Sequence, residues 1–119
     1  MKEPFEIKIF GRVPSKKNEI RKGKYGNFYN TKQPEIDDII IQLKKYKFFS
    51  GKPIRISYFI NAHSKRQDFS NICQTIDDCL QRAGVIENDR QIQEFGASAI
   101  IFNKNKAEMA SISLEELKL

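Results

Sequence analysis

The chain has 119 residues, a net charge of +6, 30% charged and 39% apolar residues, nine Phe and four Tyr. That suits a single globular domain, able to bury roughly two-thirds of its unfolded surface, and excludes a disordered polyelectrolyte. No apolar run is long enough to span a bilayer, and Glu3, Glu6 and Lys8 interrupt any leader-like apolar core at the N-terminus, so a cytoplasmic protein without membrane attachment is expected.

Residues 4–12 alternate Phe5, Ile7 and Ile9 with Glu6 and Lys8, the period-two pattern of a strand with one buried face. After Pro14, SKKNEIRKGKYGN reads as a basic, Gly-containing loop, with Phe28 and Tyr29 opening a short strand. From Pro34, the spacing of Ile36, Ile39, Ile40 and Leu43 predicts a helix to about Tyr46. Pro53 opens IRISYFINA, in which Ile54, Ile56, Tyr58 and Ile60 share one face of a second strand. A second helix starts at Asp68, with Phe69, Ile72, Cys73, Ile76, Cys79, Leu80 and Ala83 on one stripe and Gly84 as its stop. Asn71, Thr75, Asp78 and Arg82 fall opposite that stripe and are expected to face out, with Gln74 beside them. Two further strands are expected at about 91–103 and 106–114, joined as a hairpin through Asn103-Lys104-Asn105-Lys106. The sum is an α+β fold, two helices packed on a mixed sheet of about four strands.

Charge is distributed unevenly. The stretch from Asp68 to Asp89 carries five acids and one Arg, leaving a strongly basic body of about +10 that would be drawn to a polyanion. If Asp68, at the start of the second helix, meets Asp89, in the loop beyond Gly84, their carboxylates and a helix-face oxygen offer the hard donors that Mg²⁺ prefers. Asp68 reads equally as the N-cap of its helix, and Asp77, Asp78 and Glu87 as solvated surface charges. The segment from Arg12 to Lys24 holds six Lys or Arg and one Glu. Lys16, Lys17, Arg21, Lys22 and Lys24 are candidates to grip phosphates, with Tyr25, Phe28 and Tyr29 available to stack on an unpaired base. Lys65 and Arg66 would place cations beside a phosphate held near Asp68. Cys73 and Cys79 lie about 240° apart on the predicted helix and are read as reduced, mostly buried thiols. His63, the only histidine, is read as structural or phosphate-facing.

In this order the residues resemble the RusA family of Holliday-junction resolvases, small phage- and prophage-associated endonucleases. Pro14-Ser15, then Asn18 and Arg21, follow the first strand as similar residues do in the family. Asp68-x-x-Asn71 opens a helix, Asp78 comes ten residues after Asp68, and Ala83-Gly84-Val85, Asn88-Asp89 and Gln91 follow. The resemblance implies a homodimeric, Mg²⁺-dependent nuclease, with Mn²⁺ as a substitute and no small-molecule cofactor, that nicks two symmetry-related strands of a four-way DNA junction during recombination and repair. It implies that the acidic site maps onto Asp68, Ser70, Asn71, Asn88 and Asp89. Ser70 and Asn88 stand where the best-known members carry acids, and Gln74 where they carry a helix-face Lys.

On that basis Asp68, Asp89 and Lys65 are the expected catalytic residues, with Lys65 or a loop lysine replacing the helix Lys. Asp78 would complete the metal set of Asp68 and Asp89, while Ser70, Asn71 and Gln74 support it. Lys16, Lys17, Arg21, Lys22, Lys24 and Arg66 are the expected DNA contacts. Two other functions compete: a catalytically weakened relative that docks on branched DNA, and an RNA-binding module resting on charge and aromatics alone.

Overall fold

The computed structural model describes residues 4–15, 20–22, 28–30, 33–48, 50–65 and 68–117. The first strand, β1 (Phe5–Phe10), forms where the alternation demands it: Ile7 and Ile9 are fully buried while Glu6, Lys8 and Phe10 face solvent. Two short strands follow, β2 (Ile20–Lys22) and β3 (Phe28–Asn30), paired antiparallel with Arg21 opposite Tyr29. The basic segment is therefore partly a two-stranded ribbon rather than a loop throughout. Ile20 and the Phe28-Tyr29 pair supply the strand-favouring residues, and Gly23 and Gly26 lie in the connection between them.

Helix α1 (Gln33–Leu43) has Pro34 in its first turn and buries Ile36, Ile39 and Leu43. It stops three residues before the expected Tyr46, whose N–H donates to the Leu43 carbonyl at 3.0 Å in a tightened closing turn. The Tyr46 ring is used elsewhere, its hydroxyl accepting from the Lys8 N–H at 3.1 Å. Gln42 lies beside it and completes the edge of β1: its Oε1 accepts from the Phe10 N–H and its amide donates to the Phe10 carbonyl, both at 2.8 Å. One side chain thus occupies the donor and acceptor that an added strand would seek.

The centre of the sheet is β4 (Ile54–Ala62), with Ile54, Ile56, Tyr58, Ile60 and Ala62 on the buried face. Helix α2 (Phe69–Arg82) returns the chain along that face to β5 (Ile92–Phe95) and β6 (Ala99–Phe102), both parallel to β4. The last strand, β7 (Met109–Glu116), lies antiparallel between β4 and β1. The order is β1-β7-β4, with β5 and β6 in succession along the far side of β4. The fold is α+β, with two helices on a mixed sheet of five strands, one more than expected because residues 91–103 form two strands with a break between them.

Two expectations are corrected. β6 and β7 do not form a hairpin, since β4 lies between them and residues 103–108 carry the chain across its end. Asn61 holds that crossing: its Nδ2 approaches the carbonyls of Asn103, Lys106 and Ala107 at 3.3, 3.2 and 2.9 Å. Thr75 does not face out but is fully buried, in a helix against which α1 also packs. Its hydroxyl avoids an unpaired state by donating to the Asn71 carbonyl at 3.0 Å.

Both helices pack on one face, and the core of Ile7, Ile9, Ile36, Ile39, Tyr58, Ile72, Ile76, Leu80 and Ile112 fills the space between layers. The other sheet face is open and carries exposed Phe10, Phe59 and Ile101. Among the described residues no helix is long and apolar enough to cross a membrane.

Candidate functional site

Helix α2 is fixed at both ends. Asp68 has extended backbone, φ −82° and ψ 121°, and its Oδ1 accepts from the Asn71 N–H at 3.3 Å, satisfying a first-turn donor that has no partner inside the helix. At the other end the Ala83 N–H donates to the Cys79 carbonyl, and Gly84 at φ +79° reverses the chain. Asn88 then caps a short 3-10 turn, Asp89–Gln91, its Oδ1 accepting from the Arg90 N–H at 2.8 Å. Gln91 reaches back to accept from the Asn88 and Glu87 N–H groups and donates its amide to the Ser50 carbonyl at 2.7 Å. That pins the turn carrying Asp89 to the segment before β4.

Asp68 and Asp89 consequently stand at opposite ends of α2. Asp68 follows the last residue of β4, whereas Asp89 precedes β5, whose Ile92 pairs with the first residue of β4. The Asp89 N–H donates to Gln81 Oε1 at 3.2 Å, and roughly 20 Å of helix rise separates Gln81 from Asp68. A single cation shared by Asp68 and Asp89 of one chain would have to span that length.

The acid within electrostatic reach of Asp89 is Asp77. Ser70, Cys73, Gln74 and Asp77 follow one another at i, i+3, i+4 and i+7 along one side of α2. With Phe69 they line a cleft of about 430 Å³, faced by Tyr58, Phe95, Gly96 and Ser98. The cleft exists because the strand opposite is interrupted between Phe95 and Ala99. Inside the break the Gly96 N–H donates to the Ile56 carbonyl at 2.8 Å, and Ser98 Oγ accepts from the Tyr58 N–H at 2.9 Å while donating to the Gly96 carbonyl at 3.1 Å. A side-chain hydroxyl thereby keeps the edge of β4 satisfied where the ladder is missing. Gly96 makes this close approach possible, since a Cβ there would lie 2.2 Å from Ser57 Oγ.

Asp77 is the chemically unusual group of the cleft. Burial pushes its carboxyl up to about 6, Tyr58's donated hydrogen bond pulls it back, and the nearby Asp89 carboxylate raises it further. The Tyr58 hydroxyl, raised by burial and then by Asp77, stays protonated and holds that carboxylate in one orientation. Cys73 beside them is pushed up to about 12, first by burial and then by Asp77, which makes it a poor nucleophile.

Of the expected site residues, the fold brings Ser70 and Gln74 into the cleft. Asp78 points elsewhere on α2 and pairs with Arg82, Oδ2 to Nε 3.0 Å, one turn along the helix. Asn71 serves the helix start through its backbone. Lys65 is exposed in the turn before Asp68. His63 is engaged by the chain crossing β4, with Nε2 2.6 Å from the Lys106 carbonyl and Nδ1 3.6 Å from Glu108 Oε1. Lys16, Lys17, Lys24 and Arg66 lie outside the described residues, and Arg21 and Lys22 are described only by the backbone pairing of β2.

Asp77 is the residue that sequence reasoning passed over as a surface charge. The available signal was its position between Cys73 and Leu80 at i+4 and i−3, which sets an acid at the margin of the apolar stripe. Among the described residues no group of three or more His, Cys, Asp and Glu side chains is arranged to hold a metal. The donor chemistry of Asp77 and Asp89 still suits Mg²⁺, which commonly takes one or two carboxylates and fills its other positions with water and phosphate. No protein-family model matches the chain, and no curated protein matches it at a significant level.

Proposed function

We propose that this chain is a Mg²⁺-dependent endonuclease of branched DNA that acts as a homodimer on four-way junctions, with Mn²⁺ as an alternative ion. The observation that carries this reading is Asp77 on the wall of a cleft, within electrostatic reach of Asp89, in a protein whose net charge is +6. The resemblance to the RusA family in the segment from Asp68 to Gln91 supports the nuclease class, although of the acids it implies only Asp89 belongs to this pair. Asp77 and Asp89 would hold the ion, which when bound supplies an acidified water and neutralises charge on the phosphate.

The chain's own contribution is positioning. Tyr58 fixes the Asp77 carboxylate, and Gln81 and Gln91 fix the turn that carries Asp89. Lys65 and the basic segments between Arg12 and Lys24, with Arg66, would hold the DNA backbone without reading sequence. Two matched cuts in a two-fold junction require two sites related by two-fold symmetry, which is the reason for the dimer. A second reading, docking without cutting, draws on the pairing of Asp78 with Arg82, which engages one of the three carboxylates expected to hold the metal.

The test is cleavage of a labelled four-way junction across Mg²⁺ and Mn²⁺ concentrations, comparing the parent with Asp77→Asn, Asp89→Asn and Asp68→Asn. The expected result is paired nicking by the parent, a loss of at least about 100-fold in the first two variants and near-parent activity in the third. A junction shifted in a gel but never nicked at any concentration of either ion would establish the docking reading instead. Loss confined to Asp68→Asn would move the ion to the start of α2.

A further inference from the structure

We infer that the cleft between α2 and the β5–β6 break is a receptor for one unpaired nucleobase of the bound strand. This deepens the nucleic-acid reading and rests on it. Four observations converge. The volume of about 430 Å³ lies near the lower end of the range for small-ligand sites, roughly 300–1,000 Å³, which fits a single heterocycle with its sugar and no base pair. Phe95, the last residue of β5, stands at this site 66% exposed. Its ring lies 6.3 Å from that of Tyr58 and is tilted 31° to it, so the two present adjoining aromatic surface. Phe69, half-buried, lines the same cleft from the first turn of α2.

The polar lining is equally specific. Gln74 carries both a donor and an acceptor on one planar amide, which matches the hydrogen-bonding edge of a base, and Ser70 adds a hydroxyl that can serve either way. Both are exposed, whereas the Ser98 hydroxyl already has two partners inside the fold. None of the described residues lining the cleft is Lys or Arg, and Asp77 among them is acidic, which disfavours a phosphate group as its occupant. A neutral, flat ring with polar edges fits it. The basic body supplies the backbone contacts that would deliver such a ring, and every base offers a face on which an aromatic side chain can stack. The placement also bears on the proposed nuclease, because Phe95, Gln74 and Asp77 line the same cleft.

The experiment measures equilibrium binding by fluorescence anisotropy in EDTA, so that no cutting intervenes, on DNA duplexes with a single-nucleotide bulge. Two ligands, one with a base at the bulged position and one abasic there, are combined with the parent and Phe95→Ala. Removing the base should weaken binding to the parent by about 10-fold, within the range of single base–aromatic stacks. Phe95→Ala should show a similar loss and no further effect of the abasic site. Gln74→Leu, which leaves the aromatic surface in place, should change the ranking of the four bases at the bulge.

Equal binding of the base-bearing and abasic ligands by the parent, or additive losses in the Phe95 cycle, would overturn the receptor while leaving the nuclease reading standing. No binding to any DNA at low salt would remove both. Binding of a free nucleoside in the cleft without any preference between bulged ligands would also overturn it, since it would identify a small-molecule site. Phe95 is mostly exposed, so its loss leaves the core intact, and far-UV circular dichroism of each variant separates misfolding from lost binding.

Discussion

Asp77 shows how one half-buried acid changes what a helix can do. Its protonated form is favoured in the fold, so the native state binds a proton that the unfolded chain releases near pH 4. The sign follows: the stability associated with that proton is fully present below the unfolded value and is lost as pH rises through about 6. Asp77→Asn keeps an acceptor for Tyr58 but cannot ionise. In urea unfolding with EDTA present, the parent should lose on the order of 2 kcal/mol relative to Asp77→Asn between pH 4 and pH 7.5. A constant gap between the two proteins across that window would show that Asp77 ionises without cost. Cys73 gives a second residue-scale expectation. With its thiol pushed up to about 12, thiol-reagent modification of the native protein at pH 8 should run roughly a thousandfold slower than that of an unperturbed thiol. Cys79, fully buried, should be slower still, and urea should release both.

At the scale of elements, α2 depends on its two ends and on the side that α1 covers. Removing the cap with Asp68→Ala should cost about 1 kcal/mol, whereas Asp68→Asn should cost a few tenths, because Asn caps as well as Asp. This pair separates a capping role from a metal-binding one: a cap tolerates Asn in stability and activity alike. Gly84→Ala should cost roughly 1–2 kcal/mol, since φ +79° is strained for any residue with a Cβ. Both are read from shifts in the denaturation midpoint. The β5–β6 interruption is the other decisive element. Between Phe95 and Ala99 the regular ladder on β4 gives way to a backbone bond from Gly96 to Ile56 and to the Ser98 side chain on the Tyr58 N–H, and the cleft lies beside that break.

For the whole molecule, the two faces of the sheet have different fates. One is covered by both helices; the other exposes Phe10, Phe59 and Ile101 among Ser57, Ser111 and Ser113. The dimer proposed for the nuclease would use this open face, because burying such residues is favourable at about 25 cal/mol per Å² of apolar area. Sedimentation equilibrium should then give a dimer for the parent and a monomer for Phe59→Asp, with secondary structure unchanged. A parent that remains monomeric at all concentrations would require the two cuts to be made by independent encounters. DNA affinity should fall linearly in log–log terms with salt, as expected when basic side chains release counterions from the backbone.

Much of the fold could be read along the chain, because local periodicity carries it. Ile7, Ile9, Ile54, Ile56 and Tyr58 alternate, Ile72, Ile76, Cys79 and Leu80 recur at helical spacing, and Gly84 ends α2 where its left-handed backbone is needed. The sequence by itself therefore determined β1, β4 and β7, both helices and the α+β class, whereas β2 read as loop and the break dividing residues 91–103 into β5 and β6 did not show in the pattern. What it could not determine is which elements become neighbours. The passage of β7 to the opposite side of β4 from β6, the burial of Thr75, and the coupling of Asp89 to Asp77 rather than to Asp68 all depend on packing between segments distant in the chain. Hydrophobic period specifies which face of an element is buried, but only the assembled layers decide what that face meets, and a carboxylate's proton affinity follows from those surroundings.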